Sequence, residues 1–390
     1  MKPRIAARVG QLPAYPMAHI PRLKRELIAK GVDVIDLGAG DADFMPPQIA
    51  IDTLKAALAK PAMHRYGFQI GLSAFREAIV RYHKRRFGTG LDAATEIAPL
   101  IGSKEGICHF AQAVCGPGDV AIVPEPGYAC YIGGTVLAGA TPHIVPLTAK
   151  NNFLVELSDV PEDVLKKARI LFLNYPNNPT AVVAPRDYLE RTVAICRERG
   201  IVLCYDNPYC EITFDGYVAP SIFEFEGARD IAVEFHSMSK SFSMTGWRIA
   251  WAAGNRDLLH ALTDIKTFTD TGPFLALQAA SAEVLDRSEE LVKAPVSAFT
   301  SRRDTMVRAL KKVGFEVPAP KATLYLWVPM PDGVSAVEFA EVAMKEEGVI
   351  VLPGVGFGKS AESYFRIALT VPEARLEEAA DRMGRVLARA

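Results

Sequence analysis

The sequence predicts an α/β protein built on a mostly parallel sheet, and three observations carry that expectation. From about residue 95 to 255, short apolar runs alternate with longer amphipathic ones. Several of the apolar runs are rich in Val, Ile and Leu without polar alternation, as in strands buried on both faces. The segments between them show helical charge order, which places a covering helix between one strand and the next.

The strand candidates are EIAPLIG, DVAIV, RILFLN, IVLCYD, IAVEFHS and RIAWAAG. Pro185 to Arg199 is a helix candidate, with Asp187 and Glu190 early and Arg197 and Arg199 late, an order that suits the helix dipole. No charged residue occurs between Glu125 and Lys150, a span long enough to cross a bilayer on a charge count alone. Gly127, Gly133, Gly134, Gly139, Pro142, His143 and Pro146 interrupt it. A buried helix, turn and strand is expected there, and no membrane span. After about residue 285 a long charged helical stretch runs to Gly314. The short strands TLYLWVP, VIVLP and YFRIALT follow, with the helix VSAVEFAEVAMKEEG and a C-terminal helix from Pro372, a smaller α+β unit. The N-terminal forty-odd residues show no strand–helix alternation and are expected to drape over the other parts. The division is thus residues 1–45 as an N-terminal segment contributing to the small domain, 46–285 as the large domain and 286–390 as the small one.

Length and composition agree with this plan. A chain of 390 residues exceeds one compact core, and 49% hydrophobic with 23% charged residues is ordinary for a soluble protein. The formal charge of −1 gives no basic field for nucleic acid or an anionic membrane. Six cysteines are scattered without a C-x-x-C pair, which argues against a disulfide framework or structural zinc and fits a reducing cytoplasm. The start, MKPRIAARVGQLPAYP, lacks the apolar core of a secretory signal.

The segment Phe235 to Arg248, FHSMSKSFSMTGWR, follows one buried strand and leads into another. Lys240 there has no charged neighbour before Arg248, unlike a solvated surface lysine, and a buried amine is the form that condenses with an aldehyde. Ser237 and Arg248 are donors suited to a phosphate. The alternative is a loop-edge lysine making a backbone cap. Asp206 ends the apolar strand IVLCYD, where ligands of parallel sheets bind, although a plain helix cap gives the same letter. Gly102-Ser103-Lys104 opens a helix after a strand, which suits an anion site, an ordinary N-cap at Ser103, or both together.

S-x-S-K-x-x-x-M-T-G-W-R resembles the lysine segment of the class I and II aminotransferases, which share the type I fold of pyridoxal-5′-phosphate (PLP) enzymes. GAGDADF, HRYGFQIGLSAFREA, GSKEGI, EPGYACY, NYPNNPT, YDNPYCE and YFRIALT agree in the family's order, from about Val34 to Thr370. The resemblance implies a large domain with a seven-stranded sheet and PLP bound to Lys240, which also moves the substrate α-proton in a ping-pong transfer. It places Asp206 at the pyridine nitrogen, Tyr209 and Asn178 at the ring hydroxyl, and Tyr128 on the ring face. Ser103, Lys104, Ser237 and Arg248 fall at the phosphate. Arg366 matches the clamp for the substrate α-carboxylate, Asn178 falls at the substrate as well as the cofactor, and Gly40 matches the glycine whose backbone contacts that carboxylate. Tyr66 matches a tyrosine that reaches the neighbouring subunit's cofactor, which implies a homodimer with shared active sites.

SKEGI, NYPNNPT, FDGY and FHSMSKSFSMTGWR look most like the branch containing LL-diaminopimelate, alanine and aspartate aminotransferases. The substrates implied are an L-amino acid of that kind and a 2-oxo acid such as 2-oxoglutarate. A carbon–sulfur β-lyase on the same fold is the alternative, and a PLP-sensing binding protein a further one, although no room for a DNA-binding domain precedes Val34. Two positions depart from the family: Ala181 stands where Gly usually follows Asn-Pro-Thr, and Ala42 where Pro is usual in GDADF. GVGFGKS (354–360) hints at a phosphate loop, but Pro353 occupies the place of its first Gly. His109 and His236 show no metal spacing, so no metal is expected.

Overall fold

A computed structural model describes residues 4–13 and 20–389. The first three residues and 14–19 of the N-terminal stretch lie outside the described residues. In chain order the strands are β1 (Ile35–Asp36), β2 (Ile97–Leu100), β3 (Val120–Glu125), β4 (Thr141–Pro146), β5 (Ala168–Leu173), β6 (Val202–Asp206), β7 (Ala232–Ser237), β8 (Ala250–Gly254), β9 (Tyr325–Pro329), β10 (Val349–Ile350), β11 (Leu352–Pro353) and β12 (Tyr364–Ala368).

The large sheet has seven strands in the order β2-β8-β7-β6-β5-β3-β4. Four pairings are parallel, and the two antiparallel ones are both made by β8. The unalternating apolar runs have the predicted cause. Along β5, Ile170 and Phe172 join the core on one face while Leu171 and Leu173 join the core on the other. In β6, Cys204 faces one way and Leu203 and Tyr205 the other, and Val233 and Phe235 of β7 lie with Cys204. Beyond Arg169 in β5 and Val202 in β6 every position of these strands is buried, so period two vanishes from their hydropathy.

The uncharged span after Glu125 folds as expected, into the helix Cys130–Leu137, a turn and β4. The helix predicted from Pro185 runs Arg186–Arg199, with Pro185 as its N-cap and Gly200 left-handed at its end. A second core surrounds the antiparallel sheet β11-β12-β9 and the helices Lys293–Lys312, Ala336–Glu347 and Glu373–Leu387. The charged stretch before Gly314 is two helices, Ser288–Leu291 and Lys293–Lys312, where one was expected.

The N-terminal segment does have elements of its own, contrary to expectation. Helix Ile20–Ala29 precedes β1, and β1 pairs in parallel with β10, Ile35 opposite Val349 and Asp36 opposite Ile350. A strand of two residues is too short for a periodicity to register, and its pairing partner lies more than three hundred residues away.

Candidate active site

Strand parity decides which side chains meet. Asp206, the last residue of β6, turns to the same side as Cys204, and there Tyr131 donates its hydroxyl to Asp206 Oδ2 at 2.7 Å. Asp206 is buried and its Oδ1 has no partner. Burial pushes its carboxyl up to about 7, against the opposing effects of the Tyr131 bond and the His236 charge.

Asn174, just past β5, ties this end of the sheet to the next element. Its Nδ2 donates to the Asp206 carbonyl at 2.7 Å, and its Oδ1 accepts from the Asn178 N–H at 2.7 Å. Asn178 Oδ1 in turn accepts from Arg366 Nη1 at 2.7 Å. Arg366 sits on the central strand of the small sheet, and its Nη2 donates to the Gly38 carbonyl at 2.7 Å. The guanidinium is buried and lies over the rings of Tyr325, 4.1 Å from the centroid, and Phe357, 4.7 Å. Its Nε has no hydrogen-bond partner, and among the described residues no carboxylate lies within ion-pair distance of it.

Tyr325 is the hub of the remaining contacts. Its hydroxyl is 3.4 Å from that of Tyr209 and packs against Gly40, where a Cβ would collide with it. Burial pushes Tyr209 well up. Tyr325 is driven down despite its own burial, because the Arg366 and Lys240 cations and the Tyr209 hydroxyl favour its anion. Lys240 is half-buried, and its Nζ donates to the Gly40 carbonyl. Lys240, Gly40, Tyr209, Asn178, Arg366 and, through Asn174, Asp206 therefore form one connected cluster.

At a second corner Arg248 meets Gly102, beside Ser103 and Lys104 of the residues expected at a phosphate. Gly102 has φ +81°, and the Arg248 guanidinium occupies the space its Cβ would need. Gly102 rather than Ser103 is the N-cap of the helix Ser103–Val114, and it offers no capping side chain. The capping alternative for Ser103 is thereby corrected: Ser103 is the first helical residue, so its hydroxyl is not spent as the cap. Lys104 Nζ lies 5.8 Å from the centroid of Tyr128, whose ring meets Tyr131 edge-on at 6.0 Å. Ser237 ends β7 and accepts from the Ser239 N–H at 3.1 Å. Tyr66 stays apart: it is 72% exposed and packs on Phe68.

Tyr131, Asn174 and Tyr325 were not singled out from the sequence. Tyr131 and Asn174 sit within EPGYACY and NYPNNPT, so the motifs held them, whereas Tyr325 has no local signal. Ala181 adopts φ +59°, a left-handed conformation that explains why the family prefers glycine there. Ala42 packs on the second core. The GVGFGKS loop is docked on the end of β3: the Ser360 N–H donates to Glu125 Oε1 at 3.1 Å and the Gly127 N–H to the Phe357 carbonyl at 3.1 Å. Glu105, His109 and Asp270 do converge, but Lys266 Nζ stands among them, 2.8 Å from Glu105 and 2.9 Å from Asp270.

The family model for aminotransferase class I and II matches residues 32–383. The LL-diaminopimelate aminotransferase of Desulforudis audaxviator is 44% identical over 384 residues, 98% of each chain. That of Moorella thermoacetica is 43% identical, again over 98% of each. Among solved structures, BacF from Bacillus subtilis superposes with a TM-score of 0.95 at 30% identity, covering 98% of both chains. The chain belongs to the class I and II aminotransferases.

It is an aminotransferase of the type I fold, and the relatives' names fit amino-group transfer and not the β-lyase alternative. The family is PLP-dependent in general. The aminotransferase's own residues fit that cofactor. Asp206 Oδ1 is a buried acceptor with no partner, suited to a cationic ring nitrogen, and the Arg248 guanidinium packs on Gly102 at a helix start, a set of donors suited to an anion.

Proposed function

We propose that this aminotransferase takes its amino group from an L-amino acid of the LL-diaminopimelate, alanine or aspartate type and gives it to a 2-oxo acid such as 2-oxoglutarate. LL-diaminopimelate is the foremost donor, a choice supported by relatives of that name at 43–44% identity over nearly the whole chain. The observation that carries the reading is Arg366, a buried guanidinium with two neutral acceptors and no carboxylate partner among the described residues. A substrate α-carboxylate would complete its charge balance.

Lys240 would hold PLP, Asp206 would face the ring nitrogen, and Tyr209 and Asn178 the ring hydroxyl. Ser103, Lys104, Ser237 and Arg248 would take the phosphate and Tyr128 the ring face. When bound, the cofactor supplies an electron-poor ring that accepts charge as the substrate Cα loses its proton. Arg366, steadied by Asn178, orients the substrate carboxylate so that the α-C–H faces Lys240. The Gly40 carbonyl fixes the Lys240 amine beside that bond, and Lys240 takes the proton and returns it. Burial alone disfavours the Asp206 charge, and a cationic ring nitrogen opposite it would hold the carboxylate ionised.

A homodimer with shared sites is part of this reading. Tyr66, Phe68 and Ile70 form an exposed apolar run that a second copy would cover. Cytoplasmic residence is supported by six free cysteines. No helix among the described residues is long and apolar enough to cross a membrane. The boundaries at 45/46 and 285/286 are supported by the two separate cores and by the β1–β10 pairing.

A donor screen with 2-oxoglutarate tests the proposal. Stoichiometric glutamate is expected, with LL-diaminopimelate the best donor and no turnover by Lys240→Ala. Pyruvate plus ammonia without an acceptor, or unchanged activity in Lys240→Ala, would overturn it.

A further inference from the structure

Lys266 is a lysine with no exposed surface, and it lies outside the cluster described above. Its ammonium meets Glu105 Oε1 at 2.8 Å and Asp270 Oδ2 at 2.9 Å. Each carboxylate has further obligations. Glu105 Oε1 also accepts from the Ile101 N–H at 2.7 Å, and Oε2 meets His109 Nδ1 at 2.9 Å. Ile101 directly precedes Gly102-Ser103, so Glu105 fixes the turn that opens the helix Ser103–Val114. With every carboxylate oxygen engaged and an ammonium already between them, the cluster is built to hold a position and has no vacancy for a metal ion.

The Asp270 side leads to a different loop. Asp270 Oδ1 accepts from the Gly272 N–H at 2.7 Å, and Gln69 Nε2 donates to the Asp270 carbonyl at 2.8 Å. Gln278 completes the clamp, accepting from the Leu72 N–H at 2.8 Å and donating to the Pro273 carbonyl at 2.7 Å. The segment from Tyr66 to Leu72 is thereby fastened to 270–278, and that fastening ends on the same ammonium that holds Glu105.

We infer that Lys266 is a positioning residue that holds the Gly102-Ser103 helix start and the Tyr66 loop in one register, so that phosphate binding and association with a second copy reinforce each other. This rests on the phosphate and dimer assignments proposed above. Coupling between two binding events is reciprocal, so each must tighten the other by the same factor.

The test uses the apoenzyme titrated with PLP and with pyridoxal, which lacks the phosphate, while sedimentation velocity follows the monomer–dimer equilibrium. For the wild type, PLP should tighten self-association at least tenfold more than pyridoxal does. In Lys266→Met this excess should fall to within twofold and PLP should bind at least tenfold more weakly, with pyridoxal affinity within twofold of wild type. Asp270→Asn is nearly isosteric and leaves the Lys266–Glu105 contact in place, so it decides the matter if Lys266→Met does not fold. It should retain the preference for PLP over pyridoxal yet lose the tightening. Wild-type tightening in either folded variant overturns the inference. A wild type with no preference for PLP, or with no self-association, instead removes the phosphate or dimer assignment, and the inference falls with it.

Discussion

The Tyr131 hydroxyl donates to Asp206 Oδ2 at 2.7 Å and leaves Oδ1, equally buried, without a partner. That half-satisfied carboxylate makes the cofactor-free protein pH-sensitive. Burial lifts its pKa to about 7 from 3.8, so between those values the native state binds a proton that the unfolded chain has released. Its contribution to stability is full below about pH 4 and is lost as pH rises through about 7. The urea midpoint of the apoenzyme should therefore fall from pH 5 to 8 more steeply than that of Asp206→Asn. Tyr131→Phe removes a bond that favours the ionised form and should move the decline to higher pH. A bond to a charged group contributes about 1.5–3 kcal/mol, so kcat/KM at pH 7 should drop about tenfold or more. Identical pH profiles for wild type and Asp206→Asn would contradict this account.

Gly40 is held to glycine by its neighbour. A Cβ there would collide with the Tyr325 hydroxyl, and Tyr325 also supports the Arg366 guanidinium and meets Tyr209. Gly40→Ala should lower kcat/KM by about a hundredfold, through displacement of Tyr325 and of the carbonyl that holds Lys240. Removing the colliding oxygen should relieve part of the damage. In a double-mutant cycle, Gly40→Ala/Tyr325→Phe should be more active than Gly40→Ala alone. If the two losses simply multiply, the collision is not the cause.

The contrast between Asp206 and Tyr325 shows what was legible in the sequence. Strands β5, β6 and β7 are buried on both faces, so their apolar runs stand out, and an Asp at the end of such a run is conspicuous. β4 was legible only as part of an uncharged span, since its residues are mostly half-exposed. β1 was missed because two residues carry no period. The motifs located Lys240, Asn178 and Arg366, but they did not reveal that Arg366 and Asn178 touch, or that Tyr325 stands between Arg366 and Tyr209. The Arg366–Asn178 and Tyr325–Tyr209 contacts join segments more than a hundred residues apart, and Tyr325 meets Arg366 only through the pairing of β9 with β12, so no local pattern encodes them.

Arg366 makes a prediction of its own. Arg366→Gln removes a buried cation from the Asn178 and Gly38 acceptors and leaves nothing to meet a substrate carboxylate. Truncating one partner of a buried charge pair costs about 2–5 kcal/mol, so kcat/KM for amino-acid donors should fall by a factor of roughly 30 to 5,000. The loss should be small for an amine that lacks the α-carboxylate. Steady-state kinetics with an amino acid and its decarboxylated analogue separates the two. Equal losses for both would show that Arg366 acts on the fold and not on the carboxylate.

Behind Asp206, on the other side of the large sheet, Glu234 and His236 are both buried, with Nε2 and Oε1 3.0 Å apart as an ion pair without hydrogen-bond alignment. Glu234 also accepts from Asn207 Nδ2 at 2.7 Å and from Ser221 Oγ, and so anchors the residue next to Asp206. Burial opposes a charge on His236, but Glu234 and Cys210 outweigh it and carry its pKa up to about 10, while His236, His83 and the Asn207 hydrogen bond hold Glu234 down despite its burial. The raised histidine pKa gives stability that is fully present below about 6.5 and lost as pH rises through about 10. Denaturant midpoints of the wild type should therefore decline between pH 7 and 10. Glu234→Gln leaves His236 without its counter-charge, a change that costs about 3–5 kcal/mol when a buried pair is broken. That variant should be markedly less stable at pH 7. Its histidine should be neutral near neutral pH, so the decline from about pH 8 to 10, beyond the range in which Asp206 titrates, should disappear. Retention of that decline in Glu234→Gln would mean that another group titrates there.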